Sequence, residues 1–313
     1  MDTAAFVSYR DKLVANCAKI IVGKEDVIEQ LVICLIAGGH VLLEDVPGTG
    51  KTMLLRAFAK SIGAEFRRIQ FTPDLLPSDL TGINFYNQKQ GEFEFRPGPL
   101  FTNLVLADEI NRATPRSQSA LLEVMEERQI TVDGVTYPMR EPYLVMATQN
   151  PVESFGTFPL PEAQLDRFFM RLSLGYMARE DELAVLRRAD SRALLETLSC
   201  VTDDGELTAL RRAYPAVRVS DDIAGYLMDL VDDTRRHELL SVGVSTRGAL
   251  ALYRASQIRA ALRGRDFVIP EDVKAEAVAV LPHRIVMTGR SHLDAANFIR
   301  RVLDDVAVPL DRP

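Results

Sequence analysis

Apolar residues recur along this chain with two different periods, and the change between them divides it. Residues 4–18 place Phe6, Val7, Leu13, Val14 and Cys17 at helical spacing, and 25–37 set Val27, Ile28, Leu31, Val32, Leu35 and Ile36 on one helical face. Gly38-Gly39 stops that second helix. Short apolar runs follow, at Val41–Leu43, Glu65–Phe71, Asn103–Leu106, Tyr143–Ala147 and Phe169–Leu174, each of strand length. Helical patterns separate them. Leu54, Leu55, Phe58, Ala59 and Ile62 define one that ends at Gly63, Thr114-Pro115 opens another running to about Arg128, and 161–168 reads as a short third. Strands alternating with helices predict a mostly parallel α/β sheet.

Two stretches alternate with period two instead. Ile83 to Arg96 does so on either side of Asn87-Gln88-Lys89-Gln90-Gly91, a hairpin with a loop longer than two residues. Gln129 to Tyr137 carries Asp133-Gly134 between β-branched residues, a two-residue hairpin signal. Thr72 to Gly82 reads as a polar connector. From Arg179 onward the pattern is helical, at about 180–199, 204–213, 221–237, 246–263 and 271–281, with Ser220, Ser245 and Pro270 as starts and Gly264 as a stop. This predicts an α-helical bundle after an α/β core, with the division near residue 176: a core of 1–176 and a lid of 177–313. The length of 313 residues suits one large domain and a smaller one.

The chemistry gathers where strands end. Val41–Leu43 runs into Pro47-Gly48-Thr49-Gly50, and Lys51-Thr52 opens the next helix. Strand, glycine loop and helix in that order form a phosphate cradle, with loop N–H groups and the positive helix end facing the anion. Lys51 would reach the β- and γ-phosphates and the Thr52 hydroxyl would bind Mg²⁺. The pattern G-x-x-x-x-G-K-[ST] is matched except at its first glycine, where Asp45 stands. A second apolar run ends in Asp108-Glu109, which suits Asp108 to the metal shell and Glu109 to polarising a water. Asn150 closes the run 143–150, either at a strand tip facing the γ-phosphate or as a turn residue before Pro151.

Composition changes the picture little. Apolar residues make up 47% and charged residues 26%, globular values, and the net charge of −7 argues against non-specific nucleic-acid binding. Cys17, Cys34 and Cys200 are far apart in apolar surroundings and read as buried thiols, consistent with a reducing compartment. His40, His237, His283 and His292 show no metal-ligand spacing. Met1-Asp2-Thr3-Ala4 has no basic segment leading into an apolar one, and no apolar run is long enough to span a bilayer, so a cytoplasmic protein is expected.

Taken in order, Gly48-Thr49-Gly50-Lys51-Thr52, Leu106-Ala107-Asp108-Glu109-Ile110-Asn111-Arg112, Ala147-Thr148-Gln149-Asn150-Pro151 and Pro161-Glu162-Ala163-Gln164-Leu165-Asp166-Arg167-Phe168 resemble the MoxR group of AAA+ ATPases over essentially the whole chain. The resemblance implies an AAA+ P-loop core with β-hairpin inserts and an all-α C-terminal lid. The hairpins would be the helix-2 insert and the pre-sensor hairpin of that clade. It implies ATP and Mg²⁺ as cofactors, with Pro47, Gly48, Thr49, Gly50, Lys51, Thr52 and Met53 on the phosphates, Thr52 and Asp108 at the metal, and Val22 and Gly23 beside the adenine. Glu109 and Asn150 would act on the water, Asn150 as sensor 1. Arg167 would be an arginine finger reaching a neighbour's γ-phosphate, with Arg171 as its rival, and Arg247 a sensor 2 reaching the phosphate of its own subunit. Asn111 and Arg112 would lie near the metal, their role open.

The same resemblance implies a homo-oligomer, a hexameric ring, that remodels protein clients. A von Willebrand factor A-domain partner and metal-cofactor insertion are further implications. Two other classes compete. One is a DNA-stimulated motor, which the acidic hairpin tip at Asp133 disfavours. The other is a nucleotide-binding platform with little turnover.

Overall fold

The structure, a computed structural model, describes residues 2–45, 48–149, 156–187, 191–289 and 294–309. Two helices, α1 (Thr3–Ala18) and α2 (Glu25–Ala37), precede β1 (Val41–Glu44) and α3 (Lys51–Ser61). β2 (Phe66–Gln70), the short α4 (Pro77–Thr81) and the hairpin β3 (Gly82–Asn87) and β4 (Glu92–Pro97) lead to β5 (Leu104–Asp108). Then come α5 (Pro115–Glu127), the hairpin β6 (Gln129–Val132) and β7 (Val135–Pro138), β8 (Leu144–Gln149), α6 (Glu162–Leu165) and β9 (Met170–Leu172). The polar connector at 72–82 thus holds one helical turn that its composition did not announce.

Five strands form a parallel sheet in the order β2-β5-β8-β1-β9. β1 leads away to the far edge at β2, while β9 is added on its other side. A crevice for a ligand opens at the carboxyl end of a strand flanked in this way. β1, β5 and β8 are apolar and buried along their length, as a sheet covered on both faces requires.

Both hairpins form as the alternation predicts. Asp133 and Gly134 take φ of 47° and 81°, the left-handed pair that a tight two-residue turn needs. The two hairpins meet through Asn84 Nδ2, which donates to Asp133 Oδ2 at 2.7 Å, and through stacked Phe95 and Tyr137 rings 4.3 Å apart. Tyr86 and Phe93 pack edge to face on the first hairpin and are exposed.

The lid comprises α7 (Arg179–Arg187), α8 (Ser191–Thr197), α9 (Asp204–Ala213), α10 (Asp221–Arg236), α11 (Thr246–Leu262), α12 (Pro270–Val280) and α13 (Ala295–Asp305). It is helical as expected, with one addition: β10 (Leu240–Val242) pairs with β11 (Val286–Met287). Both strands are too short to show a period. α13 was not foreseen, and of the helix read over 180–199 the described residues show α7 and α8, with 188–190 outside them. Ser220 and Ser245 cap α10 and α11, accepting from Ile223 N and Gly248 N.

α11 is rich in alanine, which lets neighbours approach closely, and it packs against α1, α2, α10 and α12. One apolar cluster therefore runs from Phe6 in α1 to Leu303 in α13, continuous across residue 176. Ion pairs cross the same junction. Arg263 meets Glu29 at 2.8 Å, and Arg259 meets the same carboxylate at 3.6 Å. Cys17 and Cys34 are buried, but Cys200 is exposed, its thiol donating to Thr202 O in the turn after α8. That corrects the reading of three buried thiols: apolar neighbours in sequence do not cover a residue in a surface turn.

His40, at the start of β1, is buried, with Nδ1 accepting from Val145 N at 3.0 Å and Nε2 donating to Met125 O at 2.9 Å. Burial, aided by the nearby Arg128 charge, pulls its pKa from 6.5 down to about 3. Below pH 6.5 the unfolded chain takes up a proton that the fold refuses, so this contribution to stability is present above 6.5 and is lost as the pH falls toward 3. By pH 5 the loss is roughly 2 kcal/mol. Urea unfolding of His40→Asn should show lower stability at pH 7 but a shallower decline between pH 7 and 5; an unchanged slope would remove His40 from this role.

Candidate active site

Asp45 follows β1, and the loop turns at Gly48 and Gly50, whose φ values are 88° and 89°. A side chain is strained at such angles, which is why glycine stands at both. Gly50 caps α3, and the first-turn N–H groups of that helix have no intrahelical acceptor. Pro47 lies outside the described residues. Lys51 Nζ donates to the Asp45 carbonyl at 3.1 Å.

Gly48, Thr49, Gly50, Lys51, Thr52 and Met53 line a cavity of about 550 Å³ at the carboxyl ends of the strands. Asp108, Glu109, Thr148 and Gln149 form its opposite wall. The parallel register explains the meeting: β5 and β8 end side by side, next to β1. Thr148 is buried and ties the two ends together. Its hydroxyl donates to Asp108 Oδ1 at 2.7 Å and accepts from Glu109 N at 2.8 Å. Glu109 sits at φ 57°, a left-handed angle for a residue with a side chain, so its backbone is held in an uncommon conformation.

β2 supplies two further partners, both on one face. Arg68 donates to Asp108 Oδ2 through Nη2 at 2.6 Å and Nε at 3.0 Å, and Gln70 Nε2 donates to Glu109 Oε2 at 2.7 Å. Arg112 Nε lies 3.1 Å from the same Glu109 oxygen. Thus Arg112 has a placed partner, and Asn111 is buried beside it. Asn150 lies outside the described residues. Its neighbour Gln149 lines the cavity with a buried Nε2 that has no partner among the described residues.

These groups fit a nucleotide with its metal. An ammonium, free helix-end N–H groups and an unmatched amide donor suit phosphate oxygens, while the Thr52 hydroxyl and the Asp108 carboxylate are hard oxygen donors of the kind Mg²⁺ takes. Val22 and Gly23 do not line this cavity. They stand at the junction with α7, where a Cβ on Gly23 would come within 2.1 Å of Asp181 Oδ2.

Arg167 and Arg247 lie elsewhere. Arg167 Nε meets Glu126 Oε2 at 3.2 Å, and Arg247 Nη2 meets Glu126 Oε1 at 2.7 Å. Both line a second cavity, of about 480 Å³, together with Gly39 and His40 at the amino end of β1. β1 spans roughly 13 Å, longer than an arginine side chain. Arg247, expected at the phosphate of its own chain, thus stands beside Arg167 at the amino end of the sheet, with the loop cavity at the carboxyl end. Next to Arg167, Asp166 accepts from Ser245 Oγ at 2.9 Å and pairs with the buried Arg284 at 3.2 Å, which joins this motif to the lid. Burial pulls Arg284 down to about 10, still protonated at neutral pH. Arg171 is instead engaged by Glu44 at 2.9 Å on the neighbouring strand.

The sequence reading missed Arg68, Gln70 and Glu126. Arg68 and Gln70 share a face at period two, but only the pairing of β2 with β5 shows that this face meets Asp108 and Glu109. Thr148 and Gln149 stood in a run noted for its polar end, and received no role.

A parallel sheet with a glycine loop at its switch point, an acidic pair beside it and a helical lid define an ATPase of the P-loop class. A profile of the ATPase family associated with various cellular activities matches residues 40–170, and one of the AAA lid domain matches 232–302. The chain is 50% identical over 304 residues to an uncharacterised Bacillus subtilis protein, YeaC, covering 96% of this chain and 95% of that one. It is 40% identical to Chaperone MoxR1 of Mycobacterium tuberculosis, covering 98% and 84%, and 33% identical to Protein MoxR of Methylorubrum extorquens, covering 93% of each. A crystal structure from Cytophaga hutchinsonii, 39% identical, superposes with a TM-score of 0.90 over 98% of both chains. The chain belongs to the MoxR family of AAA+ ATPases.

Thr148→Val keeps the shape but removes the bridge between Asp108 and Glu109. It should cost about 1–3 kcal/mol of stability. ATP turnover should fall while nucleotide affinity changes little. Calorimetric binding and phosphate release measured on one preparation separate the two, and unchanged turnover would show that Thr148 does not position the acidic pair.

Proposed function

We propose that this chain hydrolyses ATP to ADP and phosphate with Mg²⁺, in a ring of identical subunits, and uses the cycle to remodel protein clients. Lys51, Thr52 and the amides after Gly48 hold the phosphates; Asp108 and Thr52 hold the metal, which would neutralise developing charge on the phosphates. Glu109, with Asn150, orients the attacking water. Gln70 and Arg112 fix the Glu109 carboxylate when no nucleotide is present. The adenine lies toward Val22 and Gly23.

The observation that carries the ring is the separation of the two cavities. Arg167 and Arg247 line the cavity at the amino end of β1, and a neighbour's phosphate edge packed against the Glu126 face would receive both. Glu126 neutralises them until then. This extends to Arg247 the role expected of Arg167, and a cation so supplied is worth several orders of magnitude in rate in ATPases and GTPases of this kind. The core ends near residue 176 and the lid follows it. A change at the nucleotide would move the lid against the core and carry the hairpins with it.

A protein client suits the first hairpin, where Ile83, Phe85, Tyr86 and Phe93 are exposed and Glu92 and Glu94 leave little attraction for phosphate backbones. Relatives bear the names Chaperone MoxR1 and Protein MoxR. A von Willebrand factor A-domain partner, metal-cofactor insertion and a cytoplasmic setting extend the same reading. No helix among the described residues is long and apolar enough to cross a membrane.

Lys51→Ala should lose ATP binding, and Glu109→Gln should bind ATP without turning it over; normal turnover in the latter would assign the water to another residue. Arg167→Ala or Arg247→Ala subunits mixed with Lys51→Ala subunits should recover part of the activity that each lacks alone. No recovery at any mixing ratio would place these arginines in cis or outside catalysis.

A further inference from the structure

Asp45 occupies the first glycine position of the generic phosphate loop, and nothing in phosphate binding calls for a carboxylate there. The side chain is buried, 6% exposed, and accepts three hydrogen bonds from the stretch leaving β9. Oδ1 accepts from Ser173 Oγ at 2.8 Å and from Gly175 N at 3.0 Å, and Oδ2 from Leu174 N at 2.5 Å. The backbone carbonyl of the same residue accepts from Lys51 Nζ. Lys24 holds the stretch from its other side, its ammonium donating to the carbonyls of Leu174 and Tyr176. Residues 173–176 are the connection from the sheet to α7 and the lid. They are gripped between the first residue of the phosphate loop and the residue after the Gly23 turn.

Two features make this more than a local cap. A buried carboxylate with three donors is strongly specified, because replacing it leaves backbone N–H groups unmatched in the interior. And Lys51 carries its three N–H donors on one ammonium at the end of a flexible chain, so a phosphate that turns the ammonium toward itself loosens the bond to the Asp45 carbonyl. A nucleotide that draws Lys51 away releases one end of Asp45 while the other end still holds the connection to the lid.

We propose that Asp45 is a positioning residue that couples occupancy of the phosphate loop to the lid connection, its carbonyl responding to Lys51 and its carboxylate holding Ser173 to Gly175. This rests on the nucleotide reading of the loop. It gives the departure from the generic motif a function: glycine at this position would bind phosphate without reporting it.

Hydrogen exchange on the full-length chain, with and without Mg²⁺ and the non-hydrolysable analogue AMP-PNP, tests the coupling at a peptide spanning 172–176. The native protein should show a nucleotide-dependent change in exchange at the Leu174 and Gly175 amides of roughly tenfold. Asp45→Asn keeps the shape but sets a donor against one of the N–H groups. It should bind the analogue within about threefold of the native affinity and lose that change, while kcat falls without a matching rise in KM. A nucleotide response equal to the native one in Asp45→Asn would overturn the coupling. Loss of analogue binding in this variant would also overturn it, since Asp45 would then belong to binding itself. Ser173→Ala, which removes one donor and no backbone bond, should weaken the response and carries the same two outcomes if Asp45→Asn does not fold. Failure of the nucleotide reading is seen separately, as retained ATP binding in Lys51→Ala.

Discussion

The parallel register of β1, β5 and β8 is the constraint on which the rest of this structure depends. Because Leu106 and Ala107 lie opposite Met146 and Ala147, and Met146 and Ala147 opposite Val41 and Leu42, the three strands end together. That single edge holds the loop amides, the acidic pair and the Thr148 hydroxyl. A slip of one residue would turn every side chain to the other face and part Thr148 from Asp108. The register is set by apolar residues buried on both faces, so the site takes its geometry from a core that contains none of its chemistry.

The two ends of the sheet then do different things. At the carboxyl ends, charges are brought together and balanced within the chain: Arg68 against Asp108, Gln70 and Arg112 against Glu109, Lys51 against a carbonyl. At the amino ends, Arg167 and Arg247 share Glu126 on a face open to solvent. Exposed pairs of this kind contribute little to stability, which leaves them free to exchange Glu126 for a stronger anion. The polarity of the parallel sheet sets these two groups of charges at opposite ends of one subunit.

The lid belongs to the same core as the ATPase domain. α11 packs on α1 and α2, and the apolar cluster passes through that contact without interruption. Two polar links reinforce that contact: the connection at 173–176, held by Asp45 and Lys24, and the Asp166 cluster with Ser245 and Arg284.

Strand-length apolar runs, glycines at Gly48 and Gly50, the Asp-Gly turn and the serine caps are local signals, and each specified its element directly from the chain. The order of motifs identified the loop and the acidic pair for the same reason, since each lies within a few consecutive residues. Partners distant in sequence left no local trace. Arg68 and Gln70 meet the acidic pair because β2 happens to border β5, Glu126 collects two arginines from different elements, and Asp45 reaches residues 128 to 130 positions away. The surroundings of Arg247 were hidden for this reason too. Its residue type and helix position were legible, but the end of the sheet it faces is decided by how α11 docks. Periodicity and turn chemistry are properties of neighbours along the chain, whereas pairing across it is settled when the apolar faces close.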